Sequence, residues 1–228
     1  MSAATTAIAK QIDDGETTGL RFGKTTWRLL EKSNSRVLLL SENLVERAPY
    51  NRTPGQSFVS WEESYLRKYM QRDLPIILFT DDEYDCIDTT HTDTTTNPIF
   101  HTQDNGAIDK LFILSIEEVD KYLGDGNTLK RLREGNVYTN TAFSDVVGDE
   151  YSRCRVARLP GKESETDWWW LRTPGEREDT RAEYQRIGMR GWVRHCQCYV
   201  GNKGNINMHG SNYDDVYGGI RAAMWLNL

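Results

Sequence analysis

Trp168-Trp169-Trp170-Leu171-Arg172-Thr173-Pro174-Gly175 sets three indoles ahead of a Pro-Gly turn signal. The run reads as a buried, aromatic-rich β-strand. Downstream of a polar stretch at 176–190, Cys196-Gln197-Cys198-Tyr199-Val200, the turn Gly201-Asn202-Lys203-Gly204 and residues 205–208 alternate as a hairpin. The chain closes on Gly219-Ile220-Arg221-Ala222-Ala223-Met224-Trp225-Leu226, which reads as one buried strand.

Working upstream, Leu111-Phe112-Ile113-Leu114 reads as another buried strand, and the apolar segments 26–30 and 36–40 read as a hairpin turning through Glu31-Lys32-Ser33-Asn34-Ser35. Helix starts are marked where Ser or Thr is followed three residues later by Glu, at Ser60/Glu63, Thr80/Glu83 and Ser115/Glu118. In that capping box the hydroxyl and the carboxylate satisfy amides that a helix start leaves unpaired. Trp61, Tyr65, Leu66, Tyr69 and Met70 form an apolar stripe after the first, and Ile116, Val119, Tyr122 and Leu123 after the third. Helices interleaved with hairpins, with no βαβ repeat, give an α+β class. Residues 1–19 are expected to be a flexible leader or short helix, and 20–228 a single domain with two to three capped helices and short antiparallel strands.

Composition narrows the function. The 228 residues are 38% hydrophobic and 27% charged, and seven Trp argue against a disordered chain. A net charge of −6 gives no overall attraction to phosphate backbones, so nucleic acid is not an expected partner. No apolar run approaches the roughly 20 residues that cross a bilayer, and no export signal is visible at the start. The expected setting is therefore cytoplasmic or phage-particle associated. The four cysteines, Cys86, Cys154, Cys196 and Cys198, are expected as free thiols, and Asn51-Arg52-Thr53 as a loop rather than a glycosylated sequon. The Asp/Thr-rich run 88–96 lacks the regular ligand spacing of a calcium loop and is expected to be a solvated loop. No metal and no cofactor is expected.

Read in order, Phe22-Gly23, Trp27-Arg28-Leu29-Leu30, Leu38-Leu39-Leu40-Ser41-Glu42, Trp61-Glu62, Asp109 to Ser115, Trp169 to Gly175 and Gly219 to Trp225 carry a resemblance. Together they resemble a bacterial family of unknown function whose hallmarks are a Trp-Trp-Leu-Arg-Ser-Pro-Gly strand and a terminal Gly-Val-Arg-Pro-Ala-Leu-Trp strand. Thr173 stands here for the usual Ser and Ala222 for the usual Pro, and an insertion at 176–194 separates the two strands. The family is similar to the C-type-lectin-like fold, near the formylglycine-generating and sulfatase-modifying group. The resemblance implies a ligand surface on the terminal strands, within 168–228.

The same fold displays the variable proteins of diversity-generating retroelements, which scatter AAY codons. Residues 205–217 read Asn-Ile-Asn-Met-His-Gly-Ser-Asn-Tyr-Asp-Asp-Val-Tyr, in which Met208 alone cannot arise from such a codon. Aromatics among Asn, Ser, Asp and Arg are also the composition of antibody paratopes. The expectation is a non-catalytic, receptor- or adhesin-like protein that binds a protein, peptide or glycan. Its expected contacts are Asn207, His209, Ser211, Asn212, Tyr213, Asp214, Asp215 and Tyr217, with Arg177, Asp179, Arg181, Tyr184 and Arg194 from the insertion. Trp169, Trp225 and Tyr199 are expected as half-buried core.

Two alternatives remain open. A metal-dependent oxidase like the formylglycine-generating relatives would use Cys196 and Cys198, two apart on a strand and so on one face. A phage receptor-binding component would share the lectin-like surface, and a trimeric state would favour it.

Overall fold

The computed structural model describes residues 3–52, 58–127, 129–130, 146–147, 150–176 and 196–228. Strands β2 (Thr25–Ser33) and β3 (Arg36–Ser41) form the first antiparallel hairpin. Its turn is tighter than expected: Lys32 and Ser33 still pair with Val37 and Arg36, leaving Asn34 and Ser35 to reverse the chain. Asn34 takes the left-handed φ of 48° that its short polar side chain tolerates. Val37 to Ser41 is buried at every position, so β3 presents apolar side chains to both faces of its sheet.

Strand β1 (Leu20–Phe22) adds to β2, and β16 (Ala223–Asn227) to β3, giving the order β1-β2-β3-β16. Residues 3–13, expected as part of a loose leader or short helix, form helix α1 and bury Thr5, Ile8 and Ile12 beside β1. Leu111 to Leu114 is buried, but it joins the sheet only through a bridge from Phe112 to Ala223 and is not a full strand.

A second, six-stranded sheet runs β4 (Glu46–Arg47), β15 (Gly219–Ile220), β12 (Trp169–Pro174), β13 (Cys196–Val200), β14 (Ile206–Asn212) and β9 (Val146–Val147). β12 and β15 are parallel, and the other neighbours are antiparallel. The terminal run expected as one strand is therefore two. The chain leaves the six-stranded sheet after Ile220, passes through Arg221-Ala222 and enters the four-stranded sheet at Ala223.

Arg221 holds that crossing. Its guanidinium is fully buried, donates to the Ser41 and Arg155 carbonyls at 2.9 and 3.2 Å, and lies over the Trp169 indole. Burial pulls its pKa down to about 9, assisted by the nearby Arg28 charge.

The helices follow their caps, with one displacement. Thr80/Glu83 and Ser115/Glu118 each make both capping-box bonds, opening α4 (Asp81–Asp85) and α5 (Ile116–Leu123). Ser60 accepts from the Glu63 amide at 3.3 Å, yet α2 (Tyr65–Arg72) starts one turn later, capped by Ser64. The short α3 (Leu74–Leu78) follows directly, with Pro75 in its first turn, where a missing N–H costs nothing. Ser115→Ala is expected to lower the unfolding free energy by about 1 kcal/mol, read by urea denaturation.

The Asp/Thr-rich run is built into the protein, contrary to the solvated loop expected. β5 (Thr90–His91) pairs with β8 (Ile108–Asp109), and β6 (Thr95–Thr96) with β7 (Gln103–Asp104). Thr92 and Thr95 are buried because their hydroxyls find distant partners: the Ala107 carbonyl, and the Glu117 carboxylate with the Thr173 hydroxyl. Strands β10 (Ala157–Leu159) and β11 (Lys162–Asp167) add a further hairpin. The whole is α+β, with several small sheets and few helices. No helix among the described residues is long and apolar enough to cross a membrane.

Candidate ligand-binding site

The expected C-terminal contacts gather around the β13–β14 hairpin. Its turn is closed by Gly201 donating to the Asn205 carbonyl at 2.7 Å, with Gly204 at φ 79°. β14 keeps Asn207 on the expected hairpin strand and runs on past Met208, so that His209, Ser211 and Asn212 stand on it as well. Its register with β13 shifts: Asn207 lies opposite Tyr199 and Ser211 opposite Gln197. The extra residues are absorbed around Gly210, whose φ of 95° and amide bond to Asn207 Oδ1 at 2.9 Å mark a bulge.

An aromatic row backs this hairpin. Trp170 lies opposite Tyr199 in the register, and Trp168 makes edge contacts with both, at 4.7 Å to Trp170 and 5.1 Å to Tyr199. Trp170 is fully buried and donates to the Ala48 carbonyl, whereas Trp168 and Tyr199 are half-buried. A Cβ at Gly218 would collide with Trp170 Nε1, so only glycine lets the chain pass over that indole. Tyr199 is half-buried, as expected, and its hydroxyl accepts from Asn207 Nδ2 at 3.1 Å.

The segment after β14 is shaped by Asp215. Its carboxylate accepts from the Ser211 hydroxyl and from the Tyr217 amide, each at 3.0 Å. This turn projects Val216 and Tyr217, 57% and 64% exposed, with Asp214 also exposed. Burial, then the Asp215 charge, pushes the Tyr199 phenol above its ordinary pKa, so the carboxylate acts on the aromatic face.

Two expected contacts, Tyr213 and Asn207, are buried, Asn207 at 8% exposure. Tyr213 is 5% exposed and stacks on Tyr50 with ring centroids 5.4 Å apart, so its ring belongs to the core. His209 leans on Phe100, 4.8 Å between centroids, and its Nδ1 is 3.4 Å from the Glu176 carboxylate. Asn212, half-buried, pairs with Cys196 across the hairpin. Arg177, Asp179, Arg181, Tyr184 and Arg194 lie outside the described residues. Trp225 is half-buried as expected, beneath the Arg36 guanidinium, while Trp169 is fully buried.

The cysteine pair is set for packing. Cys198 is fully buried, its sulfur 3.3 Å from the Pro174 carbonyl and 3.4 Å from that of Met208, and burial raises its pKa well above the ordinary thiol value. Beneath it sits Asn97, which the sequence reading did not single out. Its Nδ2 donates to the Pro174 and Met208 carbonyls and its Oδ1 accepts from the Ile99 and Phe100 amides, tying the inner loop to β12 and β14. Among the described residues all four cysteines are free thiols, and no group of three or more His, Cys, Asp or Glu is placed to hold a metal ion.

These features define an α+β domain that carries a mixed aromatic and polar surface on its C-terminal hairpin. The chain belongs to the family described as a domain of unknown function, DUF6273, which matches residues 34–228. The match opens at the turn residue Asn34, so α1, β1 and β2 precede it. No curated protein and no solved structure matches the chain.

Proposed function

We propose that this protein is a non-catalytic ligand-binding domain of the receptor or adhesin type, with a C-type-lectin-like fold. The observation that carries this reading is the surface formed by Trp168, Tyr199 and Tyr217 beside Ser211 and Asp215. Rigid aromatics there offer contact area, and short polar groups offer adaptable hydrogen bonds. The burial of Cys198, with its thiol held protonated, favours binding over a copper-oxidase reading, because copper ligation needs an accessible thiolate.

Retroelement diversification of the tract at 205–217 is part of the proposal. Met208, which AAY codons cannot encode, is fully buried, and Ser211, Asn212, Asp214, Asp215 and Tyr217, which they can, are exposed or half-exposed, although Ile206, Asn207 and Tyr213, also within reach of such codons, are buried. Amplicon sequencing of the gene's 3′ end from its source population tests this. Substitutions confined to adenines in the codons for those outer residues are the expected result. A uniform tract overturns diversification and leaves a binder of fixed specificity.

A further inference from the structure

We propose that the surface around Tyr199 and Asp215 receives an organic cation, the ammonium or guanidinium head of a lysine or arginine side chain on a peptide partner. The inference rests on the binding reading above and names the chemistry of its ligand.

Aromatic faces are the first ground. Trp168 and Tyr199 meet edge to face at 5.1 Å and are both half-buried, so part of each ring meets solvent, and Tyr217 stands out beside the carboxylate that orients it. The negative face of an aromatic ring attracts a cation, and the attraction grows as the cation is desolvated.

Charge is the second ground. Between Lys203 and Arg221 the sequence has no Lys or Arg, yet it has Asp214 and Asp215. Among the described residues neither carboxylate has a cationic partner. Among the described residues Asp215 is fixed by a hydroxyl and an amide, both neutral, and these bonds orient it without neutralising it. Its charge acts on the Tyr199 phenol, which places negative potential on the aromatic face itself. A neutral sugar leaves two carboxylates uncompensated, and an anionic ligand is repelled by them.

The test is a heteronuclear NMR titration of the full chain with N-acetyl-lysine methylamide, N-acetyl-arginine methylamide, tetramethylammonium, and two neutral probes, N-acetyl-glutamine methylamide and N-acetylglucosamine. The expected result is that the lysine and arginine probes shift the Trp168 indole and Tyr217 amide resonances saturably while the neutral probes do not. Asp215→Asn keeps a side-chain oxygen for the Tyr217 amide but removes the charge, and is expected to weaken binding about fivefold, as is the exposed variant Asp214→Asn. If the neutral probes shift the same resonances with equal affinity, the surface binds but the cation assignment falls. Tighter binding of tetramethylammonium than of either amino-acid probe overturns the peptide side chain as the source. If no probe shifts these resonances, the cation assignment falls, and the binding reading is judged separately by capture of the full chain on glycan and random-peptide arrays.

Discussion

Asp109→Ala is expected to lower the unfolding free energy by about 3–5 kcal/mol, the range for removing one partner of a buried, hydrogen-bonded charge pair. Asp109 is 1% exposed, and its two oxygens accept from Trp61 Nε1 at 2.7 Å and Arg67 Nε at 2.6 Å. Trp61 is itself fully buried, and its backbone amide is held by Asp104 at 2.5 Å. Alanine strands the Trp61 indole N–H and the Arg67 Nε–H without acceptors, while the other guanidinium nitrogens keep the Glu62 and Ile108 carbonyls. Asp109→Asn retains one acceptor and is expected to cost about half as much.

The pH dependence separates charge from geometry at this position. Burial pushes the Asp109 carboxyl above its ordinary pKa, although Trp61 and Arg67 pull the other way. The folded protein therefore holds this proton more tightly than the unfolded chain. The group's contribution is greatest below the unfolded pKa and is lost as pH rises through the raised folded value. Asparagine has no such titration, so the stability gap between the natural protein and Asp109→Asn widens from neutral pH into the acid range. Urea denaturation at a series of pH values reads both variants; a gap that narrows on acidification shows that the ion pair with Arg67 outweighs burial.

Features legible in the sequence are those whose partners lie nearby. Thr80/Glu83 and Ser115/Glu118 close within one turn, so their spacing alone locates the caps. Ser60/Glu63 has the same spacing, but Asp104 captures the Trp61 amide and Ser64 offers a better-placed hydroxyl, and the helix start moves. The Asp/Thr run looked solvated because the partners that bury Thr92 and Thr95 lie 15 to 78 residues away. A continuous apolar run cannot report that it changes sheets, since Ile220 and Ala223 are equally buried on either side of Arg221. The C-terminal hairpin reads in sequence as ending at Met208, and Gly210 bulges the strand and lets it continue to Asn212.

Tyr213 and Tyr217 are the sharpest instance, since four residues apart in the same polar tract nothing local distinguishes them. Tyr213→Ala is expected to cost about 3–5 kcal/mol, the range for truncating a buried aromatic, because it opens a cavity against Tyr50 where the ring is now 5% exposed. Tyr217→Ala is expected to change stability by no more than about 0.5 kcal/mol, since its ring is 64% exposed and the bond it makes among the described residues is through its backbone amide, which alanine keeps. The binding consequences run in reverse. Wherever the natural protein is captured on glycan or random-peptide arrays, Tyr217→Ala should lose the signal while still melting at the natural temperature. Tyr213→Ala should lose signal only in proportion to the fraction unfolded. Full retention of array binding by Tyr217→Ala would move the contact surface away from this turn and toward the Phe100–His209 side of the hairpin, where the Glu176 carboxylate waits beside the imidazole.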